Sequence, residues 1–250
     1  MKKFATAIMA AGQGTRMKSD LAKVLHIING RPMVHYVIDL ALDLGSEKTV
    51  LIIGHQREKV KEICTDYPVL FTIQEEQLGT AHAVIQTKSI LGTYQHDLLV
   101  LSGDVPLLSK ATLEKLITTH QNSGAIATLL TANLQDPSGY GRVIRNVKGN
   151  VIKIVEHKDA SAEELKIQEI NVGIYIFKTQ PLFENLDHVN NDNTQGEYYL
   201  PDVVKMYVDR GEKVVAQIAD NFDETRGINT VEQLKEAETI LNARRLTKKS

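Results

Sequence analysis

The stretch Met9-Ala-Ala-Gly-Gln-Gly-Thr-Arg-Met-Lys-Ser-Asp-Leu-Ala-Lys-Val-Leu-His26 decides the fold, because an apolar run ends inside it and a glycine-containing segment follows. The run Phe4–Ala10 is typical of a buried strand, whereas the segment from Ala11 to Arg31 shows no helical period. This segment is much longer than the roughly 2–6 residues expected between a strand and a helix, and loops of such length are usually functional or disordered. We therefore predict a functional loop after the first strand.

Two glycines and two cations indicate what this loop binds. Gly12 and Gly14 permit backbone conformations in which consecutive N–H groups surround an anion. Arg16 can add a planar guanidinium and Lys23 a mobile point charge. The segment lacks the third glycine of the dinucleotide-binding fingerprint and the closing Gly-Lys-Ser/Thr of a P-loop. The pattern predicts a polyphosphate site, and a solvated turn with stray cations is the alternative.

Outward from this loop, apolar runs alternate with segments of helical period through the first half of the chain. One such helix is predicted from Met33 to Leu44, and Gly45 can cap its C-terminus. Strand, helix and strand repeated in this way predict an α/β fold with a mostly parallel sheet and helices on both faces. The strand candidates after Phe4–Ala10 are Thr49–Ile53, Val69–Ile73, Asp97–Leu101 and Ala125–Ala132.

The second half of the chain has shorter strand candidates joined by polar turns. No linker rich in Pro, Ser or Gly separates them from the first half. They are predicted to add mixed strands beside the parallel sheet, so residues 1–229 form one domain. These candidates are Arg142–Arg145, Val151–Glu156 and Val172–Phe177.

Residues 230–250 are predicted to form a C-terminal helix followed by a solvated tail. Thr230 can cap this helix together with Gln233, three positions further on. From Arg244 the sequence becomes polar and basic, which is typical of a solvated end. The apolar residues between these points lie at helical spacing and are Val231, Leu234, Ala237, Ile240 and Leu241.

The composition excludes several classes of protein. The 250 residues are 42% hydrophobic with a formal net charge of -2, so no global positive field is available for nucleic acid or an anionic membrane. No apolar run approaches the roughly 20 residues that span a bilayer. The one cysteine, Cys64, is expected in the core of a cytoplasmic protein. Histidines such as His26, His82 and His157 show no metal-ligand spacing and are expected in scattered surface or packing roles.

One carboxylate stands at the carboxyl end of a buried strand. Asp104 follows the run Leu98-Leu-Val-Leu-Ser-Gly103, at the edge of a parallel sheet where ligands collect. A carboxylate in such a place is costly unless a metal ion or another cation is paired with it. The position therefore predicts a cation-binding role, and a turn residue before Pro106 is the alternative.

Six further motifs accompany the loop. Together they resemble the sugar nucleotidyltransferases, which make nucleoside-diphosphate sugars, and in particular the uridyltransferase domain of the bifunctional N-acetylglucosamine-1-phosphate uridyltransferase/glucosamine-1-phosphate acetyltransferase family. The likeness runs nearly end to end and implies a Rossmann-like, GT-A-like nucleotidyltransferase fold. The hexapeptide repeats of the acetyltransferase half are absent, so acetyl transfer is not predicted. The motifs are Gln77-Leu-Gly-Thr-Ala-His82, Gly103-Asp-Val-Pro-Leu107, Asp136-Pro-Ser-Gly-Tyr-Gly-Arg142, Val155-Glu-His-Lys-Asp159, Gln168-Glu-Ile-Asn171 and Gln195-Gly-Glu-Tyr-Tyr199.

This resemblance implies transfer of UMP from UTP to N-acetylglucosamine-1-phosphate, with Mg²⁺ as cofactor and pyrophosphate as the second product. The sugar phosphate would attack the α-phosphorus in line, which needs no protein nucleophile. By resemblance, Asp104 and Asn229 hold Mg²⁺, although helix-entry capping is the alternative role of Asn229. Lys23 would lie near the α-phosphate and Arg16 would neutralise the departing pyrophosphate. The expected catalytic residues are thus Arg16, Lys23 and Asp104.

The resemblance also implies which residues contact the two substrates. Gln74 would offer an amide edge to uracil, and Gly79 would allow a close backbone approach. The other expected UTP contacts are Ala10, Ala11, Gly12, Gly14 and Thr80. The sugar phosphate would be held by Gly141, Glu156, Asn171 and Tyr199, which all come from the second half of the chain. Trimer contacts in that family involve the acetyltransferase half, so we expect a monomer or a weak homo-oligomer.

Three positions depart from the family pattern. Ala22 stands where the family usually has proline, which loosens the loop that carries Lys23. Val172 stands where the family has threonine, and Pro201 where it has a residue with a hydroxyl, so two hydrogen-bonding groups are lost beside the sugar pocket. Another sugar-1-phosphate therefore stays open as the acceptor. A nucleotide-sugar binding protein without turnover is a further alternative, and a nicotinamide-dependent enzyme is disfavoured by the missing third glycine.

Overall fold

The structure is a computed structural model that describes residues 3–247. The strands in this part of the chain are β1 Phe4–Ala10, β2 Ile27–Ile28, β3 Arg31–Pro32, β4 Thr49–Ile53, β5 Leu70–Ile73, β6 Asp97–Ser102, β7 Ala127–Asn133, β8 Arg142–Arg145, β9 Val151–Val155, β10 Glu169–Lys178 and β11 Val214–Ile218. The α-helices are α1 Met33–Asp43, α2 Arg57–Ile63, α3 Thr80–Ile85, α4 Lys88–Leu91, α5 Lys110–Ser123, α6 Thr179–Leu186, α7 Pro201–Asp209 and α8 Val231–Thr247.

One central sheet has the strand order β11-β7-β10-β6-β1-β4-β5. The pairs β1–β4, β1–β6, β4–β5 and β7–β11 are parallel, whereas β10 runs antiparallel to both of its neighbours. The short strands β8 and β9 extend from β10 as an antiparallel pair. The prediction of a mostly parallel sheet with added mixed strands from the second half is confirmed.

Helices cover both faces of the sheet because the side chains of each central strand alternate between two apolar clusters. On β6, Leu98 and Val100 pack on the face that holds α3, α6 and α7, whereas Leu99 and Leu101 pack on the face of α1, α2 and α5. All four side chains are fully buried. This two-sided burial explains why the strand reads as an uninterrupted apolar run rather than as an alternating one.

The segment from Ala11 to Arg31 is less irregular than predicted. It contains two 3₁₀ turns, Thr15–Met17 and Lys23–Leu25, and the two-residue hairpin β2–β3. The hairpin turns at Asn29 and Gly30, whose φ values are 48° and 78°. An Asn-Gly pair is the sequence that favours this tight turn, so the hairpin had a local signal that hydrophobic periodicity does not detect.

The predicted bounds of several elements also need correction. β7 begins at Ala127 rather than Ala125, and β5 begins at Leu70 rather than Val69. β10 extends from Glu169 to Lys178, beyond the predicted Val172–Phe177, because its polar first residues still pair with β7. A shift of register between Asn171 and Tyr175 interrupts that ladder. It marks a β-bulge, which re-aims the side chains near the predicted sugar site.

The C-terminal helix α8 packs onto the body of the protein. The side chain of Thr230 accepts a hydrogen bond from the backbone N–H of Gln233 at 3.2 Å, as the capping pattern predicts. Val231 is 41% exposed, so its predicted place on the apolar face is wrong. The residues that do pack, against a cluster that includes Ile28, Met33 and Leu107, are Leu234, Ala237, Ile240 and Leu241.

The predicted solvated tail from Arg244 is also partly wrong. Arg244 belongs to α8, and its guanidinium donates a hydrogen bond to the carbonyl of Leu107 at 2.5 Å. This contact ties the last part of α8 to the segment that follows β6. Residues 248–250 of the predicted tail lie outside the described residues. Between residues 3 and 247, none of the helices has the length and apolar content needed to cross a membrane.

Candidate active site

A cavity of about 260 Å³ opens at the carboxyl ends of β1 and β6. These two strands are parallel neighbours, and the N–H of Gly103 donates to the carbonyl of Met9 at 2.9 Å, so the segments that follow them begin side by side. This is the edge at which open α/β sheets bind ligands. The cavity brings together eight of the residues singled out from the sequence: Ala10, Ala11, Gly12, Lys23, Gln74, Gly79, Thr80 and Asp104.

Two residues that line this cavity, Lys23 and Asp104, belong to a cluster of four side chains, of which Arg16 and Asn229 lie outside the cavity lining. The ammonium of Lys23 forms an ion pair with the carboxylate of Asp104, and both side chains are only 15% exposed. The same ammonium donates to the amide Oδ1 of Asn229 at 2.6 Å. The guanidinium of Arg16 donates to that oxygen as well, at 2.7 Å. Two cations from the opening loop, Lys23 and Arg16, therefore both contact the amide oxygen of Asn229, and Lys23 also contacts the carboxylate of Asp104.

Local structure fixes the direction of Asn229. Its amide nitrogen donates to the carbonyl of Gly227 at 3.0 Å, which leaves its oxygen for the cluster. Its backbone N–H donates to the side chain of Gln233 at 2.7 Å, and the N–H of Ile228 donates to the carbonyl of Asp104 at 2.9 Å. Thr230 caps α8, so the alternative of Asn229 as the helix cap is not what the structure shows.

The oxygens of Asp104 and Asn229 fit a divalent metal ion. Carboxylate and amide oxygens are the ligands that hard cations such as Mg²⁺ prefer in proteins. In the structure the ammonium of Lys23 contacts both of these oxygens at once, so the site already accommodates one positive charge. Among residues 3–247, no group of three or more His, Cys, Asp or Glu side chains could hold a metal. Two protein ligands suit Mg²⁺, which usually keeps several waters and binds substrate phosphates.

The opening loop is held so that Lys23 faces the cavity. Gly14 has a φ of +71°, and a Cβ at this position would lie 2.6 Å from the Cβ of Lys23, so only glycine fits. The side chain of Gln56 accepts from the N–H of Ala22 at 3.0 Å and donates to the carbonyl of Asp20 at 2.6 Å. Gln56 thus holds the segment just before Lys23.

The other end of the cavity contains an amide and a glycine. Gln74 is 3% exposed, and its amide nitrogen donates to the carbonyl of Gly79 at 3.2 Å. Gly79 has a φ of +112°, and a Cβ there would lie 2.5 Å from the carbonyl oxygen of Tyr198. The hydroxyl of Thr80 accepts from the N–H of Leu200 at 2.9 Å. The two motifs that contain Gly79 and Tyr198 therefore lie against each other.

The four residues predicted to hold the sugar phosphate form a separate group. A Cβ at Gly141 would lie 3.2 Å from a carboxylate oxygen of Glu156, and the N–H of Asn171 donates to the carbonyl of Gly141 at 2.9 Å. Glu156 and Tyr199 line a second cavity of about 430 Å³, not the first one. The structure thus brings Gly141, Glu156 and Asn171 together and places Tyr199 beside the second cavity.

The side chain of Asn171 forms hydrogen bonds within the protein, and the carboxyl group of Glu156 has a raised pKa. The amide nitrogen of Asn171 donates to the hydroxyl of Tyr175 at 2.6 Å, and its oxygen accepts from the N–H of Gly173 at 3.3 Å. Burial, and then the charges of Asp159 and other carboxylates, raise the pKa of Glu156. Glu156 is therefore easier to protonate than an exposed glutamate, and it can donate or accept a hydrogen bond.

Three residues that line the first cavity are not predicted from the sequence: Gln77, Ser102 and Glu197. Gln77 and Glu197 lie inside two of the six motifs, which is the signal that could have identified them. The ring of His82, for which a surface or packing role is predicted, has its Nδ1 3.0 Å from the amide nitrogen of Gln74. Cys64 is fully buried as predicted, and burial raises the pKa of its thiol to about 11.

The positions that depart from the family pattern have structural explanations. Pro201 is the first residue of α7, where its fixed φ suits a helix start and its missing N–H costs little. It also lines the second cavity. Val172 packs with the apolar cluster on the α1 face of the sheet. Ala22 is fully buried and uses the backbone N–H that a proline would lack.

Comparisons with known proteins identify the family of this chain. A family model described as Nucleotidyl transferase matches residues 5–225. The chain is similar to the Bifunctional protein GlmU of Bacillus licheniformis, with 51% identity over 243 residues that cover 97% of this chain and 53% of that protein. The protein of the same name from Exiguobacterium sibiricum is 50% identical over 244 residues, or 98% of this chain and 54% of its own. The chain spans about half the length of the curated relatives it matches.

Proposed function

The chain belongs to the nucleotidyl transferase family, and we propose that it transfers UMP from UTP to N-acetylglucosamine-1-phosphate. The products are UDP-N-acetylglucosamine and pyrophosphate. The observation that carries this proposal is a cavity lined both by the Lys23–Asp104 ion pair, which Asn229 joins through Lys23, and by Gln74 and Gly79. A cationic and oxygen-rich end suits a triphosphate, and a buried amide suits the edge of a base.

The reaction needs positioning and charge neutralisation rather than a protein nucleophile. A phosphate oxygen of the sugar phosphate attacks the α-phosphorus of UTP in line, a new P–O bond forms, and the bond to the β-phosphate oxygen breaks. The electron pair of that bond leaves with pyrophosphate. Lys23 neutralises charge near the α-phosphate, and Arg16 does so for the leaving group.

We propose Mg²⁺ as the cofactor, held by Asp104 and Asn229. When bound, the ion supplies charge neutralisation and orients the phosphates. Entry of the ion requires Lys23 to leave the two oxygens that it contacts in the structure, and the flexible stem of a lysine permits this movement. The freed ammonium can then pair with a phosphate oxygen. Lys23 thus contacts the oxygens of Asp104 and Asn229 when the ion is absent, and it contacts the nucleotide when the ion is bound.

The second group of residues supports a sugar acceptor. Glu156, next to Gly141 and Asn171, offers a carboxyl group to sugar hydroxyls. Because Asp159, Asp202 and Glu197 add negative charge around Glu156, a sugar with a free 2-amino group is the strongest competitor for this site. Glucosamine-1-phosphate is therefore the alternative acceptor that a test must include.

The test measures pyrophosphate release with UTP and Mg²⁺ in the presence of N-acetylglucosamine-1-phosphate, glucosamine-1-phosphate or glucose-1-phosphate. We expect the highest kcat/KM with the acetylated sugar and a loss of about a hundredfold or more in Asp104→Asn. The matched control is Asp220→Asn, since Asp220 is exposed and pairs with Lys115 on the surface. UTP binding without turnover by any sugar would identify a nucleotide-binding protein instead.

We also propose that the protein works in the cytoplasm as a monomer or a weak homo-oligomer, on small-molecule substrates and without nucleic acid or membrane. The small net charge of -2 supports the absence of a polyanionic partner. Light scattering at micromolar concentration tests the oligomeric state, and the mass of a trimer would contradict it.

A further inference from the structure

His82 was expected in a packing role, but its ring touches the buried amide at the base end of the first cavity. The amide nitrogen of Gln74 lies 3.0 Å from Nδ1 of His82 and 3.2 Å from the carbonyl oxygen of Gly79. We propose that His82 is a positioning residue that, together with the carbonyl of Gly79, sets which polar atom of the Gln74 amide reads the base. This inference rests on the proposed function, in which Gln74 contacts uracil.

The contacts fix the orientation of the Gln74 amide. The carbonyl oxygen of Gly79 can only accept a hydrogen bond, so the nitrogen of Gln74, not its oxygen, must face it. The second hydrogen of the same nitrogen then points to Nδ1 of His82. Nδ1 must carry a lone pair to accept it, so the proton of the neutral ring is on Nε2.

One other side chain competes for the ring. The amide nitrogen of Gln86 lies 3.3 Å from Nε2 of His82, but it also donates to the backbone carbonyl of His82 at 2.9 Å. Gln86 is partly exposed and has this second acceptor, whereas Gln74 is 3% exposed. Within residues 3–247, Gln74 has no further acceptor for its second hydrogen. The Nδ1 contact with Gln74 therefore decides the tautomer.

This orientation determines which base fits. With both hydrogens of the Gln74 amide engaged, its oxygen is the atom left for a ligand in the cavity that Gln74 lines. An acceptor at this position matches the N3–H of uracil and opposes the unprotonated N3 of cytosine. A Gln74 amide turned over would present its NH₂ group and favour cytosine, but its oxygen would then face the Gly79 carbonyl, and Nδ1 could satisfy that oxygen only if the ring proton moved from Nε2 to Nδ1. His82 with its proton on Nε2 thus adds to the carbonyl of Gly79 in disfavouring the cytosine-reading orientation.

The experiment compares kcat/KM for UTP and CTP in the wild type, His82→Phe, His82→Asn and Gln86→Ala. His82→Phe keeps a ring but removes the acceptor, and we expect the UTP preference to fall about tenfold. His82→Asn places an amide oxygen near the position of Nδ1 and should restore most of the preference. Gln86→Ala removes only the contact to the other ring nitrogen and should leave the ratio unchanged.

A second measurement does not depend on whether a variant folds. The ¹⁵N chemical shifts of the His82 ring in the wild type should show an unprotonated Nδ1 and a protonated Nε2 at neutral pH. A proton on Nδ1 would overturn the inference, as would an unchanged UTP preference in folded His82→Phe. Failure of the proposed function is distinguishable, because the wild type would then release no pyrophosphate from UTP with any of the sugar phosphates.

Discussion

The ammonium of Lys23 pairs with the carboxylate of Asp104 at the place where the oxygens of Asp104 and Asn229 can hold a divalent metal. A mobile cation from the opening loop therefore neutralises the carboxylate of Asp104 in a nearly buried site and shares the amide oxygen of Asn229 with Arg16. In the proposed function the same lysine moves to the phosphates during the reaction. On that proposal, the metal and Lys23 compete for one position before the nucleotide binds.

Replacement of Lys23 should separate metal binding from turnover. Lys23→Met removes the cation that competes with the metal. A hydrogen bond to a charged group is worth about 1.5–3 kcal/mol, and the metal no longer has to displace such a contact. We therefore expect Mn²⁺ to bind about tenfold more tightly in the absence of nucleotide. Turnover should fall about a hundredfold, because positive charge near the α-phosphate is lost. Calorimetric titration and pyrophosphate release measure the two effects. Lys115→Met, on the surface, is the control, and weaker Mn²⁺ binding in Lys23→Met would contradict the competition.

Gly79→Ala should disrupt the base end of the cavity. Gly79 has a φ of +112°, and a Cβ there would lie 2.5 Å from backbone oxygen of Tyr198, which cannot move without shifting its whole segment. We expect a loss of about 2–4 kcal/mol in the free energy of unfolding and UTP binding too weak to detect. Gly149→Ala is the matched control. Its φ of +81° carries the backbone cost of about 1–2 kcal/mol, but no atom lies within 4 Å of the added Cβ.

Urea unfolding and UTP titration on both glycine variants provide the comparison. If Gly149→Ala loses as much stability as Gly79→Ala, the backbone conformation alone accounts for the effect. The close approach of Tyr198 to Gly79 would then have no energetic role.

The sheet and the nucleotide end of the site were predictable from sequence because they depend on local patterns. Buried parallel strands such as Thr49–Ile53 read as apolar runs, and the loop with Gly12 and Lys23 follows directly from the end of one. Asp104 was predictable for the same reason, since it follows another such strand. These residues meet because the carboxyl ends of parallel strands share one edge.

The contacts around the residues predicted to hold the sugar phosphate could not be predicted from local sequence patterns. The β-bulge between Asn171 and Tyr175 and the bond between their side chains arise from pairing with a strand forty residues away. Likewise, the guanidinium of Arg244 reaches the carbonyl of Leu107, a contact over a long sequence separation that local sequence cannot show. Gln56 was also missed, since its role depends on the fold of a loop over thirty residues earlier.

Protonation of Asp202 should change stability with pH. Burial, and then the charge of Asp159, raise the pKa of Asp202 from 3.8 in a free aspartate to about 6. Between these two values Asp202 binds more protons in the folded protein than in the unfolded chain, so the contribution of Asp202 to stability falls as the pH rises from about 4 to 6 and then levels. Asp202→Asn removes the buried charge, and we expect a higher melting temperature at pH 8 with no gain at pH 4. Melting curves across this range check it, with exposed Asp220→Asn as the control; an equal change at both pH values would contradict it.

The contact between Ala22 and Gln56 predicts that the effects of Ala22→Pro and Gln56→Ala depend on each other, which a double-mutant cycle can measure. Ala22 has a φ of −53°, which proline can adopt, but Ala22→Pro would remove the N–H that donates to Gln56. The gain of about 0.4–1 kcal/mol from a stiffer unfolded chain should nearly cancel the lost hydrogen bond of about 0.5–1.5 kcal/mol. The free energy of unfolding should therefore change by less than about 1 kcal/mol.

Nucleotide affinity should reveal the coupling more clearly. Gln56→Ala frees the segment that positions Lys23, so we expect the Kd for UTP to rise about tenfold. In the Ala22→Pro background one of the two contacts of Gln56 is already absent and the backbone is stiffer, so the same change should raise Kd only about threefold. Equal effects of Gln56→Ala in both backgrounds would mean that the side chain of Gln56 acts only through the carbonyl of Asp20. In that case a proline at position 22, which is usual in the family, would not replace the contact between Ala22 and Gln56 in holding the loop.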